Sequence, residues 1–279
     1  MSARRDPLQS LLGYLHLDTL DADLYLGDPG RGEGRLFGGM VAAQSVMAAG
    51  LTVEKERPLH SLHAYFLRPG RHDAPIRFVV HRIRDGRSFT TRRVVAHQAG
   101  EAIFNLAASF ALPEDGIEHQ DPAPEAPPPE ACEDWEIARA RVLGDARFER
   151  ESAAEVRISV PYHPEKPGPP RQTIWVRLRG TPPDDALLQT ALLVYMSDRT
   201  LASTAARPHG LPWGMRMTAS LDHAVWIHHP FRLDDRWILY ASESPAAHAA
   251  RGIIFGGMFL GGQRIASVAQ EALIRVKKD

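Results

Sequence analysis

Residues 37–51 read FGGMVAAQSVMAAGL, and nearly every side chain in this stretch is small or apolar. Only Gln44 and Ser45 are polar. A helix that is apolar on every side is a buried helix. The stretch therefore predicts one helix that other elements of the chain must cover all round.

Segments that resemble β-strands follow this helix, separated by residues that favour tight turns. Asp85-Gly86 and Ala99-Gly100 are typical of short hairpins. The predicted strands cover residues 19–27 before the helix, and 60–67, 76–84, 88–97 and 102–112 after it. A curved antiparallel sheet of about five strands can wrap a lone apolar helix. A short amphipathic helix is predicted at residues 6–14.

The chain repeats this pattern, because residues 60–110 can be laid over residues 221–271 at one offset of 161. At this offset Gly100 corresponds to Gly261, and Ser109 corresponds to Gln270. The second half has its own apolar helix at residues 184–196, DDALLQTALLVYM. Its predicted strands cover residues 156–160, 172–178, 216–228, 236–242, 251–260 and 263–275. The pattern predicts an α+β double hotdog: two hotdog repeats, each an antiparallel sheet wrapped around one buried helix, joined into one continuous sheet.

Three parts of the chain are predicted on this basis. Residues 1–113 form the N-terminal hotdog, which we expect to be the non-catalytic half. Residues 114–151 form a Pro-rich linker and connector, because proline lacks a backbone donor and fixes φ. Residues 152–279 form the C-terminal hotdog, which we expect to carry the chemistry.

Composition excludes several classes of function. The net charge of −1 over 279 residues gives no field that would attract nucleic acid. The one cysteine, Cys132, allows no cysteine metal cluster, and no metal motif or cofactor motif is present. The N-terminus has no apolar signal core, and the apolar runs are too short for a bilayer, which needs roughly 20 residues. We expect a cytoplasmic protein without a cofactor and without membrane insertion.

One carboxylate stands where it does not favour stability. Asp198 follows the C-terminal end of the second apolar helix, where a negative charge opposes the helix dipole. Burial would add a further cost. Two interpretations stay open from the residues alone: a loop Asp that caps the next turn, or a general base in a dry site.

Ser220 and Gln270 are polar residues at strand positions where the alternation predicts the apolar face. Each alone is more simply explained as an ordinary hydrogen-bonded side chain. Together with Asp198 they supply a carboxylate, a hydroxyl and an amide, which can hold and polarise a water molecule. No nucleophile elbow is present, and Cys132 lies in the linker.

Seven stretches occur in one order: LFGGMVAAQ, HSLHAYFLRPG, RDGRSFTTRRV, YMSD, RPHG, SLDHAVW and SVAQE. Together they resemble the acyl-CoA thioesterase II (TesB-like) family of double hotdog thioesterases, from about residue 8 to residue 275. The second and third stretches are the most specific. Met40 departs from the family, since many members carry Gln there, which bears on the acyl tunnel or the interface.

The resemblance implies a fatty acyl-CoA thioester hydrolase of lipid metabolism (EC 3.1.2 type), in which Asp198, Ser220 and Gln270 bind the attacking water. It also implies acyl-CoA as substrate and a homo-oligomer, a dimer or tetramer of double hotdogs. The backbone amides of Gly38 and Gly39 are candidates for the oxyanion hole, since helix N-termini favour anions. Phe37, Met40 and Trp226 are candidates for the acyl site, although ordinary core packing explains them equally. For each candidate CoA-binding residue, a solvated surface arginine is the simpler interpretation. These candidates are Arg68, Arg71, Arg84, Arg87 and Arg92.

Two other functions compete with this one. Double hotdog enoyl-CoA hydratases carry a D-x-N-P-x-H segment, which this sequence lacks. A non-catalytic module that binds acyl-CoA or an acyl lipid would have the same fold without the water site. The presence of all three polar residues argues against it.

Overall fold

The computed structural model describes residues 6–145, 152–160, 166–211 and 216–276. The α-helices in these residues are α1 (Pro7–Leu15), α2 (Gly38–Gly50), α3 (Trp135–Leu143), α4 (Ala186–Ser197) and α5 (Leu201–Ala206). The first strands are β1 (Asp18–Asp21), β2 (Leu24–Gly27), β3 (Leu59–Phe66), β4 (Ile76–Asp85), β5 (Phe89–Gln98), β6 (Glu101–Ala111) and β7 (Glu133–Asp134). The later strands are β8 (Ala154–Ile158), β9 (Arg171–Leu178), β10 (Arg216–Ser220), β11 (Asp222–Ile227), β12 (Ile238–His248), β13 (Arg251–Leu260) and β14 (Gln263–Val276).

The described chain forms two compact units. The first contains residues 6–119, 182–199 and 222–227, and the second contains the other described residues. In the first unit an antiparallel sheet runs in the order β1, β2, β4, β5, β6, β3 and β11. Helix α2 packs on β2 to β6, and most of its side chains are buried, as its apolar sequence predicts.

Helix α4 packs against α2 inside the same unit, and the two helices run antiparallel. A β-carbon on Gly39 would lie 2.8 Å from the backbone oxygen of Tyr195. At the other end of α2, a β-carbon on Gly50 would collide with the side chain of Leu187. The two glycines therefore allow a close approach that larger residues would prevent.

The two polar residues of α2 are both buried and have different partners. Gln44 Nε2 donates to the backbone oxygens of Tyr14 and Asp28, each at 2.8 Å. Ser45 Oγ donates to Val41 O of its own helix at 2.8 Å. Gln44 thus connects the buried helix to the end of α1 and to the loop after β2.

In the second unit the antiparallel order is β14, β13, β12, β9, β8 and β7, and β10 pairs with β14 on the other side. The short helix α5 packs on this sheet. The sequence pattern did not predict α5, because six residues are too few to show a helical period. Residues 112–128 of the linker contain no helix or strand, and Pro127 O accepts a 2.8 Å bond from Trp175 Nε1.

A buried carboxylate joins β8 to β9. Glu155 has 4 % of its side chain exposed and accepts hydrogen bonds from Arg157 at 2.7 Å and Arg177 at 2.9 Å. Arg179 adds a third cation at 3.5 Å. Burial alone would raise the pKa of Glu155, but the hydrogen bonds and charges of these arginines lower it overall.

Three boundaries differ from the prediction for identifiable reasons. The predicted strand 19–27 is a hairpin, since Asp23 adopts φ 58° between β1 and β2. The predicted strand 216–228 is divided into β10 and β11 at Leu221. The predicted helix 184–196 begins two residues later, because Asp185 caps it by accepting from Leu188 N at 2.8 Å.

The hairpin turns correct the internal alignment by one residue. Both turns use two consecutive left-handed residues, Ala99-Gly100 before β6 and Gly261-Gly262 before β14. Counted from these turns, Gln270 corresponds to Ala108 rather than to the predicted Ser109. Burial agrees, since Ala108 and Gln270 are each 1 % exposed and Ser109 is half-buried. The first half therefore has no polar side chain at this position.

Candidate active site

Asp198 lies where the sequence predicts it, directly after the last residue of α4. It is half-buried and forms the C-terminal cap with φ −82° and ψ −2°. Thr200 then takes φ 66° and begins α5. A carboxylate at this point opposes the dipole of α4, so a second interaction must offset the cost.

The N-terminus of α2 lies beside this carboxylate within the first unit. Asp198 Oδ2 lies 3.0 Å from the position that a β-carbon on Gly38 would occupy. Gly38 is the first residue of α2, where free backbone N–H groups carry partial positive charge. The carboxylate is therefore placed beside the glycine pair that the sequence suggests for the oxyanion hole. Gly39 faces Tyr195 O, so its lack of a side chain also serves helix packing.

Ser220 and Gln270 are brought to one face of the second unit. Ser220 is the last residue of β10 and pairs with Ala272 of β14. Gln270 is two residues before Ala272, so its side chain lies on the same face of the sheet. Diagonal neighbours of this kind are roughly 7–8 Å apart between backbones, within reach of a long side chain. The Gln270 side chain is buried, with 1 % exposed.

His223 was missed by the sequence analysis, although the alternation of β11 points to it. His223 and Val225 are buried, whereas Trp226 is exposed. The Nε2 atom of His223 lies 2.8 Å from Ser197 Oγ, at the end of α4. Burial lowers the pKa of His223, although the charges of Asp198 and Asp222 act in the opposite direction.

Both halves of the chain match known protein families. Residues 28–111 match the acyl-CoA thioesterase N-terminal domain, and residues 145–273 match the acyl-CoA thioesterase family. Acyl-CoA thioesterase 2 of Haemophilus influenzae is 37 % identical over 97 % of this chain and 98 % of its own length. The chain belongs to the acyl-CoA thioesterase family. Human acyl-coenzyme A thioesterase 8 is 36 % identical over 94 % of this chain and 88 % of its own length.

Solved structures agree with this membership. The acyl-CoA thioesterase II TesB2 of Mycobacterium marinum is 39 % identical and has a TM-score of 0.80, with 96 % of this chain and 98 % of that one covered. A hot dog protein from Alicyclobacillus acidocaldarius, described as of unknown function, has a TM-score of 0.79 at 17 % identity over 96 % and 98 % of the two chains, which shows the fold alone. The predicted double hotdog fold, family and thioester hydrolase activity are confirmed.

The candidate CoA-binding arginines of this thioesterase lie at two opposite ends of the first sheet. Arg68 and Arg71 follow β3, beside Phe66, whose ring approaches Gly38. Arg84 and Arg87 lie at the turn between β4 and β5. Ten strand residues separate the two ends, a length of roughly 30 Å. The five arginines therefore do not form one cluster.

Arg92 has a structural role, because protein atoms accept the hydrogen bonds of its guanidinium. It is 1 % exposed, on the buried face of β5. Its guanidinium donates to Thr52 Oγ1 at 2.8 Å, to the backbone oxygens of Thr52 and Arg84 at 3.1 and 3.2 Å, and to Asp85 Oδ1 at 2.6 Å. A buried guanidinium with these partners has no N–H group left to donate to a CoA phosphate.

The three apolar candidates for the acyl site differ in where they lie. Phe37 packs edge-on against Tyr195 at 5.2 Å, and the Arg199 guanidinium lies 5.6 Å from its ring. Met40 is half-buried in the first turn of α2, close to Gly38 in the chain. Trp226 is 37 % exposed and packs on His63 on the outer face of the first sheet. Phe37 and Met40 therefore remain candidates, and Trp226 does not.

In residues 6–145, 152–160, 166–211 and 216–276, no group of three or more His, Cys, Asp or Glu side chains could hold a metal ion. Within the same ranges, no helix has the length and apolar content needed to cross a bilayer.

Proposed function

We propose that this chain hydrolyses acyl-CoA thioesters by direct attack of a water molecule held by Asp198, Ser220 and Gln270. The observation that carries the proposal is the half-buried Asp198 carboxylate beside the first residue of α2. A carboxylate in this place is costly for the end of α4, and a role as general base accounts for its presence. Ser220 and Gln270 share one face of their sheet and supply the hydroxyl and the amide.

The chemistry needs no covalent intermediate. Asp198 takes a proton from the water while the water oxygen bonds to the thioester carbonyl carbon. The C–S bond then breaks, and the proton passes to the thiolate, which leaves free fatty acid and CoA. Ser220 and Gln270 orient the water. Correct orientation of a reactant can raise a rate by several orders of magnitude.

Negative charge develops on the carbonyl oxygen during the attack and needs fixed donors. The backbone amides of Gly38 and Gly39 are suited to this role, because the first N–H groups of a helix have no partner inside the helix. One such donor typically contributes roughly 2.7–4 kcal/mol to the transition state.

The CoA phosphates need cations near the same end of the sheet. Arg68 and Arg71 are more than half exposed and lie beside the residues that approach Gly38. Each has a surface carboxylate partner, Glu101 at 3.0 Å and Asp73 at 3.2 Å, which an incoming phosphate can replace. Arg84 and Arg87 lie at the opposite end of the first sheet, so they can contact only a substrate that extends that far.

The cellular setting is part of the same proposal. A chain of this family with nearly balanced charge suits a cytoplasmic enzyme that acts on a diffusing substrate. We also propose a homo-oligomer, a dimer or tetramer, because the exposed edges of extended sheets favour association.

Release of CoA, followed with a thiol reagent, tests the proposal. Wild type, Asp198→Asn and the exposed control Asp235→Asn are compared across acyl chain lengths. We expect Asp198→Asn to lose at least 100-fold in kcat, about the range for a general base, and Asp235→Asn to keep wild-type rates. If Asp198→Asn turns over normally, Asp198 is not the base. If wild type binds acyl-CoA and releases no CoA, the chain is a binding module.

A further inference from the structure

His223 is a buried histidine that the mechanism above does not use. It lies on β11 opposite Ala64 of β3, and 1 % of it is exposed. Its Nε2 atom is 2.8 Å from Ser197 Oγ, and the same Oγ is 2.9 Å from the backbone oxygen of Val194. All of these residues belong to the first unit.

The two bonds fix the direction of the hydrogens. A serine hydroxyl has one hydrogen, and a backbone carbonyl can only accept. Ser197 therefore donates to Val194 O and accepts from the Nε2–H of His223. Burial lowers the pKa of His223, which favours a neutral ring that donates from Nε2.

We propose that His223 is a positioning residue for Asp198, and that it acts through Ser197 by fixing the last turn of α4. The proposal rests on the role of Asp198 as general base. Ser197 is the last helical residue and Asp198 is the next one in the chain. A bond from β11 to Ser197 ties the end of the helix to the sheet and so places the carboxylate that follows.

The end of α4 needs such a tie because helix ends fray when only their own hydrogen bonds hold them. Beyond it the chain turns at once, with Thr200 at φ 66°. The Asp198 carboxylate lies beside Gly38, with Oδ2 3.0 Å from the position that a β-carbon there would take. A displacement of about 1 Å in a reacting group can reduce a rate by roughly 100-fold.

Four variants test the proposal by kcat and KM: His223→Leu, His223→Gln, Ser197→Ala and the double variant His223→Leu with Ser197→Ala. We expect His223→Leu to lower kcat by roughly 10- to 100-fold and to change KM less than about 3-fold. Glutamine places an N–H close to the Nε2 position, so His223→Gln keeps most of the wild-type kcat. We expect the kcat of Ser197→Ala to fall as far as that of His223→Leu. The kcat of the double variant falls no further, because both changes remove the same hydrogen bond.

A matched control is His228→Leu. His228 makes the same Nε2 to Oγ bond, with Ser267 at 2.8 Å, at an exposed position of the second unit. We expect its kcat to equal that of wild type. Thermal melts of every variant give the folded fraction, so kcat is expressed per folded molecule. Ser197→Ala is the smaller change and keeps the test valid if His223→Leu folds poorly.

Each outcome decides between explanations. If His223→Leu and Ser197→Ala keep wild-type kcat while Asp198→Asn is inactive, the positioning role is wrong and the proposed function stands. If Asp198→Asn is active, the proposed function itself fails. If His223→Gln is as slow as His223→Leu while Ser197→Ala is normal, the imidazole acts directly and not through Ser197, which also overturns the inference.

Discussion

The carboxylate of Asp198 lies so close to Gly38 that any side chain at position 38 would have to displace it. A β-carbon on Gly38 would lie 3.0 Å from Asp198 Oδ2 and 2.6 Å from the ring of Phe66. The end of α4 and the start of α2 thus meet at one polar point between two mostly apolar helices. Opposite ends of two helix dipoles share this point, and the carboxylate is stabilised by one of them.

Gly38→Ala should therefore reduce activity more than stability. The new methyl group would push the Asp198 carboxylate and the Phe66 ring by a few tenths of an ångström or more. We expect kcat to fall by roughly 10- to 100-fold, since a shift of about 1 Å costs roughly 100-fold. Steady-state kinetics and a thermal melt measure the two effects.

The neighbouring change, Gly39→Ala, should do the reverse. Its β-carbon would lie 2.8 Å from Tyr195 O, a backbone atom that cannot rotate away. We expect a loss of about 1–3 kcal/mol in the free energy of unfolding, typical of overpacking. Equal melting temperatures for Gly38→Ala and Gly39→Ala would contradict this division of roles.

Gln44→Met should destabilise the first unit, because it removes two hydrogen bonds that connect α2 to Tyr14 O and Asp28 O. We expect a loss of about 2 kcal/mol, near 1 kcal/mol for each bond. Ser45→Ala is the control, since its bond returns to Val41 O of the same helix, and it should change the free energy of unfolding by less than about 0.5 kcal/mol. Urea unfolding compares the two, and a larger loss for Ser45→Ala would refute the connection.

Arg92→Met and Arg68→Met should separate a structural arginine from a substrate arginine. Arg92→Met should lower the free energy of unfolding by about 2–4 kcal/mol, because hydrogen bonds to a charged group contribute about 1.5–3 kcal/mol each. Arg68→Met should leave stability unchanged and raise KM for acyl-CoA, with a weaker dependence on salt than wild type has. A raised KM with normal stability for Arg92→Met would restore it to the CoA site.

Glu155→Gln should change how stability depends on pH. The pKa of Glu155 is lowered in the folded protein, so its contribution is complete above the ordinary value of 4.5 and is lost as the pH falls through the lower folded value. We expect the variant to be less stable than wild type at pH 7 and equal to it in strong acid. Unfolding curves between pH 7 and pH 2 measure the difference, and a constant difference would contradict the assignment.

Most of the fold could be predicted because its determinants are local. The largely apolar α2 and the glycine turns define one helix and its hairpins without knowledge of distant contacts. The prediction failed where a non-glycine residue took a left-handed conformation, as at Asp23, and where a single residue, Leu221, interrupted an otherwise continuous strand pattern. Neither event changes composition or hydrophobic period.

The candidate site could be predicted in part for the same reason. Asp198 is conspicuous because its place after a helix is unfavourable, and that signal is visible in sequence. His223 and Arg92 lie two residues before the buried Val225 and Val94 of their strands, on the same face. The alternation of buried positions could therefore have predicted their burial. Their partners, Ser197 and Thr52, are 26 and 40 residues away in the chain, so sequence alone could not assign them.

Leu221 alone connects β10 to β11, and this one-residue spacing limits how the chain can be changed by evolution or engineering. On one side of it Ser220 shares a face with Gln270, and on the other His223 is buried against α4. Because strand side chains alternate with a period of two, inserting or deleting one residue here would turn either the hydroxyl or the imidazole away from its partners. Recombination between related thioesterases should therefore succeed at the turns around residues 99–100 or 261–262, and give inactive chimaeras when the crossover alters the spacing at Leu221.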